Sequence, residues 1–321
     1  MKKIFLLFLF IITTVNVFAQ VGIGEVNYFN ESSKKNKQKD IDRLKTKKTI
    51  FVLPDIYSIK EYDEILSGTW KINQYEVITT QEFYNNITKY KITSNAIAQF
   101  YGYSLITKHQ DISRSDTEHI FFVLRLYLID DINVKKKETV YEQTYLSTAF
   151  FTLDYPQLSK EKIVKLLDAK PKHLYNYKLG YLKNYFQKIN NDLVNNSNFN
   201  CFDEFKNKEK LKELKTKKLV FTDEIVRKNL SVTGNLDNRE EDDLLSKYEF
   251  DNEVISIDEL NKRILNNEEF YYFTYSQINA KKILTITNSK TGEVIYNYMN
   301  RMSFNIKRKD FKQISNEISK S

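Results

Sequence analysis

The chain has 321 residues, with 50 Lys plus Arg against 42 Asp plus Glu, and its 7 Gly, 3 Pro and single Cys exclude a collagen-like chain, a disulfide scaffold or a low-complexity polymer. Hydrophobic residues at 41% and aromatic residues at 14% can fill sizeable cores, and the length corresponds to two domains of roughly 150 residues. The basic excess excludes little, because Lys, Asn, Ile, Tyr and Phe are favoured by an AT-rich genome whatever the protein binds.

The chain opens Met1-Lys2-Lys3, continues with an apolar run from Ile4 to Ile12, and reaches Val17-Phe18-Ala19 before Gln20. These are the basic, apolar and small-residue regions of a secretory signal peptide, predicted over 1–19 with cleavage after Ala19. Losing Lys2 and Lys3 takes the net charge from +8 to +6. The apolar run is far shorter than the roughly 20 residues that span a bilayer, and the later run from Ile120 to Ile129 is short and interrupted by Arg125. The expectation is therefore no transmembrane segment after cleavage. The lone cysteine, Cys201, lies far from the cleavage site, so neither a lipoprotein anchor nor an intrachain disulfide is expected.

The stretch Lys34 to Lys48 carries Lys34, Lys35, Lys37, Lys39, Arg43, Lys45, Lys47 and Lys48 against only Asp40 and Asp42, and shows no apolar periodicity, so residues 20–45 are assigned together. They are read as a basic, solvated linker. Binding of an anionic surface through Lys34 to Lys48 is a minor expectation of this charge.

From there the chain resembles itself. Leu44-Lys-Thr-Lys-Lys48 recurs as Leu214-Lys-Thr-Lys-Lys218, each time before a strand, Thr49 to Leu53 and Leu219 to Thr222. Glu76-Val-Ile-Thr79 parallels Glu253-Val-Ile-Ser256, and in each case a glutamate three residues on, Glu82 or Glu259, completes a capping-box pattern at a helix start. Phe100 to Ile106 aligns with Phe270 to Ser276, and a pair of long strands follows in each half. In the second half the pair is Ile283 to Asn288 and Val294 to Ile306, joined by a tight turn at Ser289 to Gly292. In the last strand Val294, Tyr296 and Tyr298 are expected on a buried face and Asn297 and Arg301 on a wet one. Ile120 to Ile129, apolar on both parities apart from Arg125, reads as a central strand covered on both faces. Closing helices are expected near Pro156 and Ser159 and at Asp310 to Gln313.

Lys172 to Asn195 carries Tyr177, Tyr181, Leu182, Tyr185, Ile189 and Leu193 at helical spacing and is predicted to bridge the halves as packing rather than as a ligand platform. The expected organisation is 1–19 signal peptide, 20–45 linker, 46–195 first α/β repeat with the bridging helix, 196–213 connector and 214–321 second α/β repeat. The fold class is α/β (α+β): two tandem, internally repeated mixed-sheet domains, each of about five strands, joined by a helix.

The chain is poor in catalytic patterns. Lys290-Thr291-Gly292 and Ser159 with Lys162 match boxes of serine β-lactamases, but no Ser-x-Asn box lies between them; a hairpin turn and a helix cap account for both. His109, His119 and His173 form no local metal pair, although a loop hairpin could bring the first two together. Asp237 with Glu240 to Asp243 lacks the Gly-centred loop of a calcium site. Cys201 sits in a polar stretch that does not activate a thiol, and no phosphate-cradling Gly loop occurs. No catalytic, cofactor-binding or metal residue is nominated, and no cofactor is expected.

The layout of each half, a Lys-Lys-led strand, a capped helix, further strands and a closing helix, resembles small α/β domains of bacterial envelope proteins, such as the amino-terminal domain of TolB and the periplasmic part of the curli-secretion protein CsgG. Phe18-Ala19-Gln20, with the paired stretches Thr46 to Asp55 and Glu253 to Glu259, is similar to an uncharacterised group of secreted Bacteroidota proteins. The chain lacks the curli protein's lipidation cysteine and any β-propeller repeats, so neither named family's role carries over. The expectation is an exported, periplasmic, non-enzymatic scaffold or binding module. Its partner would be an envelope protein or a cell-wall component and not nucleic acid, met in a groove between the halves. The alternative is a secreted hydrolase whose active site assembles from residues distant in sequence.

Overall fold

A computed structural model describes residues 20–108, 116–135, 138–152, 174–227, 244–301 and 306–321. The expected leader 1–19, the helix near Pro156 and Ser159 with Lys162, His109, His173 and the acidic run at 237–243 lie outside the described residues.

The first part contains β1 (Val21–Ile23), β2 (Glu25–Asn27), β3 (Ser32–Lys34), α1 (Gln38–Lys45), β4 (Lys48–Leu53), α2 (Ile59–Thr69) and β5 (Tyr75–Thr79). It continues through α3 (Thr80–Asn85), α4 (Ile87–Tyr90), β6 (Asn95–Thr107), β7 (Thr117–Lys135) and β8 (Glu138–Phe151). After α5 (Leu179–Val194) come β9 (Phe205–Lys206), α6 (Lys208–Glu213), β10 (Leu219–Thr222), α7 (Asp223–Arg227), β11 (Asn252–Ile255) and α8 (Ile257–Leu265). The chain closes with β12 (Tyr271–Ile278), β13 (Lys281–Asn288), β14 (Val294–Arg301) and α9 (Arg308–Lys320).

The fold is α/β with mixed sheets, as the sequence implies. Each large sheet has six strands, one more than expected: β1-β8-β7-β6-β4-β5 and β9-β14-β13-β12-β10-β11. In the first, β4 is parallel to β5 and β6, while β6, β7, β8 and β1 pair antiparallel. In the second, β10 is parallel to β11 and β12, while β12, β13, β14 and β9 pair antiparallel. The β-branched run of β4 is buried at Thr49 to Leu53, as a strand covered on both faces requires. Thr79 and Ser256 cap α3 and α8, each hydroxyl accepting from the backbone N–H of the glutamate three residues on. The reciprocal box is complete at Ser58 and Glu61 instead, at the start of α2.

Three expectations fail for one reason: the two sheets lie on opposite sides of a shared core. Residues 20–45 are not a linker. Val21 and Ile23 are buried, and β1 is an edge strand on β8. Four basic side chains here meet carboxylates: Arg43 meets Asp40 and Asp130, Lys45 meets Asp42, Lys34 meets Glu25 and Lys48 meets Glu76. Nor is 196–213 a polar connector, since Phe199, Cys201 and Phe202 are buried, the Ile23 N–H donates to the Phe199 carbonyl at 2.8 Å, β9 pairs with β14, and α6 packs against α9. β14 has no wet face over Val294 to Asn297, because Ile295 and Asn297 are as buried as Tyr296. The Asn297 amide donates to the carbonyls of Cys201 at 3.2 Å and Asp203 at 2.6 Å.

The expected groove between the halves is filled by α5. Tyr177 just before it and Tyr181, Leu182, Tyr185, Ile189 and Leu193 along it are buried, and so are its polar residues Lys183, Asn184, Lys188, Asn190 and Asp192. A helix buried on its polar as well as its apolar side over most of its length is a core helix. Here α2 packs on one side and α8 on the other, and one continuous apolar cluster joins Phe51, Leu66 and Phe186 to Leu260, Tyr272 and Val294. Three of these polar residues are bonded across the junction: Lys183 Nζ donates to the Ile264 carbonyl at 2.6 Å, Tyr272 donates to Asn184 at 2.8 Å, and the Lys71 N–H donates to Asn190 at 2.7 Å.

Candidate binding face

One face of the first sheet is partly covered by α3 and α4, over a small cluster of Ile50, Val52, Ile78, Phe83, Ile97 and Tyr127. Beyond that cover the same face is lined by tyrosines. Gln99, Tyr101 and Tyr103 alternate along β6, and cross-strand register sets Gln99 opposite Arg125 and Ile97 opposite Tyr127. On the next strand Tyr145 lies opposite Tyr127, after a bulge that shifts the register.

Arg125 is the centre of this surface. Its Nη1 donates to the Tyr101 hydroxyl at 3.0 Å and its Nη2 to the Tyr103 hydroxyl at 2.6 Å. The guanidinium carbon lies 4.9 Å from the ring centre of Tyr103, 5.3 Å from Tyr145 and 5.9 Å from Tyr101, within cation–π range. Beside it Tyr127 donates to Gln99 at 3.1 Å, and the Gln99 amide donates to Tyr84 at 3.2 Å. Arg125, Tyr101, Tyr103 and Tyr145 are half-buried. Burial pushes the Tyr101 hydroxyl up to about 12 and raises that of Tyr103, despite the adjacent guanidinium. Both phenols therefore stay neutral at physiological pH and leave the arginine charge uncancelled. Among the described residues no carboxylate forms an ion pair with Arg125, an unusual state for a charge withdrawn from water.

The second sheet treats the matching face differently. Counted from the parallel pairs Thr49/Ala96 and Leu219/Tyr271, the positions of Gln99 and Arg125 correspond to Thr274 and Thr285, which are opposite each other and buried. With Gln20, Asn184, Tyr185, Lys188 and Tyr272 they line a small cavity of about 20 Å³ beneath α5, room for about one water. Lys188 is paired there with Asp192 one turn along the helix, both fully buried. Gln20 reaches the same junction, accepting from Asn176 at 2.8 Å and from Tyr185.

The first sheet also extends past its neighbours. Pairing of β7 with β6 ends at Leu128, whereas β7 and β8 remain paired to Lys135 and Glu138. This leaves a two-stranded ribbon, an arrangement with little stability of its own in water. It exposes Val134 at 75%, Val140 at 42% and Ile132 at 36%, with Ile132 opposite Tyr141 and Lys91 Nζ 3.9 Å over the Tyr141 ring.

The residues weighed from sequence fall elsewhere. Cys201 is fully buried, and burial holds its thiol far above the ordinary range, so it is a core residue and not a nucleophile. His119 packs against the rings of Tyr28 and Phe29. Lys290 to Gly292 is the β13–β14 turn: Asn288 accepts from the N–H groups of Lys290 and Thr291 at 3.0 and 3.1 Å, and Gly292 has φ +71°. Among the described residues no three His, Cys, Asp or Glu side chains converge as metal ligands, and no helix is long and apolar enough to cross a membrane. Sequence reasoning missed the Arg125 cluster. Its trace was the one charge inside the apolar run Ile120 to Ile129, with tyrosines alternating at 101 and 103.

No protein-family model, no curated protein and no solved structure matches the chain.

Proposed function

We propose that this protein is an exported, non-enzymatic binding module of the bacterial envelope, built from two copies of one α/β unit, and that it meets a partner protein through the tyrosine face of its first sheet and the adjoining ribbon. The observation that carries this reading is the contrast between the two sheets: the face that α5 seals in the second is half-exposed in the first, where it presents Tyr101, Tyr103, Tyr145 and Arg125. Tyrosine and arginine are prominent in the energetic centres of protein interfaces, and Ile132 and Val134 add exposed apolar side chains on one face of the ribbon. The leader pattern at 1–19 and the like order of pairing in the two sheets support export and duplication respectively.

Site-specific photocrosslinking in the native cell tests the surface. A benzophenone amino acid at Tyr84 or Val134 is expected to give a discrete adduct that is absent when the probe stands at Lys60 or Lys262, on exposed helix surfaces elsewhere. No adduct from the face, or equal adducts from all four positions, overturns the reading. Export predicts a mature chain beginning at Gln20, read by intact-mass spectrometry of an envelope fraction.

A further inference from the structure

We propose that Arg125 is the seat of a carboxylate, supplied by an aspartate or glutamate side chain of the partner that docks on the tyrosine face. The inference rests on the reading of that face as the binding surface and adds the chemistry of what enters it.

The guanidinium has five N–H donors in a planar fork. Tyr101 and Tyr103 each take one, at 3.0 and 2.6 Å, leaving three donors, enough for a bidentate carboxylate. The rings of Tyr101, Tyr103 and Tyr145 hold the fork in place, so little ordering remains to be done on binding. Because the hydroxyls are neutral, the pocket carries one net positive charge that the described part of the chain does not answer. Three features distinguish this group from a structural arginine: it is half-buried rather than sealed, it has no acidic partner among the described residues, and its second-sheet counterpart is an uncharged threonine.

A single guanidinium matches the single charge of a carboxylate, whereas doubly charged phosphate is drawn to clusters of arginines. The rings are already engaged, all three by the guanidinium and Tyr103 also by stacking on Phe121 at 4.9 Å, which favours a protein side chain over a uronic acid.

The test uses the full mature chain and the side-chain Nε–H resonance of Arg125. Titration with acetyl-tetraglutamate amide is expected to shift that resonance saturably, and acetyl-tetraglutamine amide is expected to leave it in place. Arg125→Lys, which keeps the charge and loses the fork, is expected to weaken the glutamate peptide at least about tenfold. If that variant does not fold, the wild-type titration decides alone. No shift with tetraglutamate, or the same shift with tetraglutamine, overturns the inference; tighter binding of inorganic phosphate or oligogalacturonate overturns the class of ligand. Face-specific crosslinks that persist in any of those cases leave the binding surface standing without the carboxylate seat.

Discussion

At the scale of single residues, the buried charges of the described chain include ion pairs closed within the fold, in contrast to the half-buried Arg125. Lys282 Nζ lies 2.6 Å from Asp310 Oδ2, with both side chains essentially inaccessible. Burial pulls the lysine pKa down against the opposing pull of the aspartate. Asp310 also accepts from the Lys307 N–H at 2.7 Å, so one carboxylate ties β13 to the start of α9. Removing one partner strands the other in the core: Lys282→Met alone is expected to cost about 3–5 kcal/mol in urea denaturation. Lys282→Met with Asp310→Leu should recover much of that loss, since a packed apolar pair is often as stable as a buried ion pair. His119 has a pKa lowered from 6.5 by burial and by the nearby Lys281 charge. Its folded form thus binds a proton less readily than the unfolded chain, so stability is complete above about pH 6.5 and falls as pH drops through the folded value. His119→Gln is expected to flatten that slope, measured as melting temperature from pH 7.5 to 5. The caps at Thr79 and Ser256 were legible because both partners lie within three residues; the Lys282–Asp310 pair, 28 positions apart, was not.

At the scale of elements, local pattern and tertiary cover carry different information. The aromatic stripe of α5 was readable as packing, but the burial of Lys183, Lys188 and Asp192 on its polar side comes from the second sheet. Phe186 lies 5.4 Å from the Phe51 ring in that shared core. Phe186→Ala is expected to cost about 3–5 kcal/mol by opening a cavity there. The β7–β8 ribbon should behave oppositely. Ile132→Thr with Val134→Thr on its exposed surface is expected to change stability by less than about 0.5 kcal/mol while reducing crosslinking from the face, which separates folding from binding. β1 escaped notice because a three-residue strand has no period to detect; what makes Val21 and Ile23 a strand is the edge that β8 offers them.

At the scale of the whole molecule, α5 joins two sheets with the same order of pairing through one shared core. Trp70, the single tryptophan, packs 5.1 Å from Phe51 beneath the first sheet and reports unfolding there. Its fluorescence transition in denaturant is expected to coincide with the loss of amide protection in β12 and β13, and two separate midpoints would show independent cores. The sequence by itself determined the α/β class, most of the strands, the helix caps and the central helix, because each is written in residues near one another along the chain. It also held Arg125 as the one charge in the apolar run Ile120 to Ile129. Only the tertiary structure decided that 20–45 and 196–213 are folded, that the junction is filled, and which tyrosines remain at the surface. Periodicity records on which side of its own element a residue lies; whether that side meets solvent depends on elements that pack over it from elsewhere in the chain, and α5 covers one sheet face while leaving its counterpart half-open.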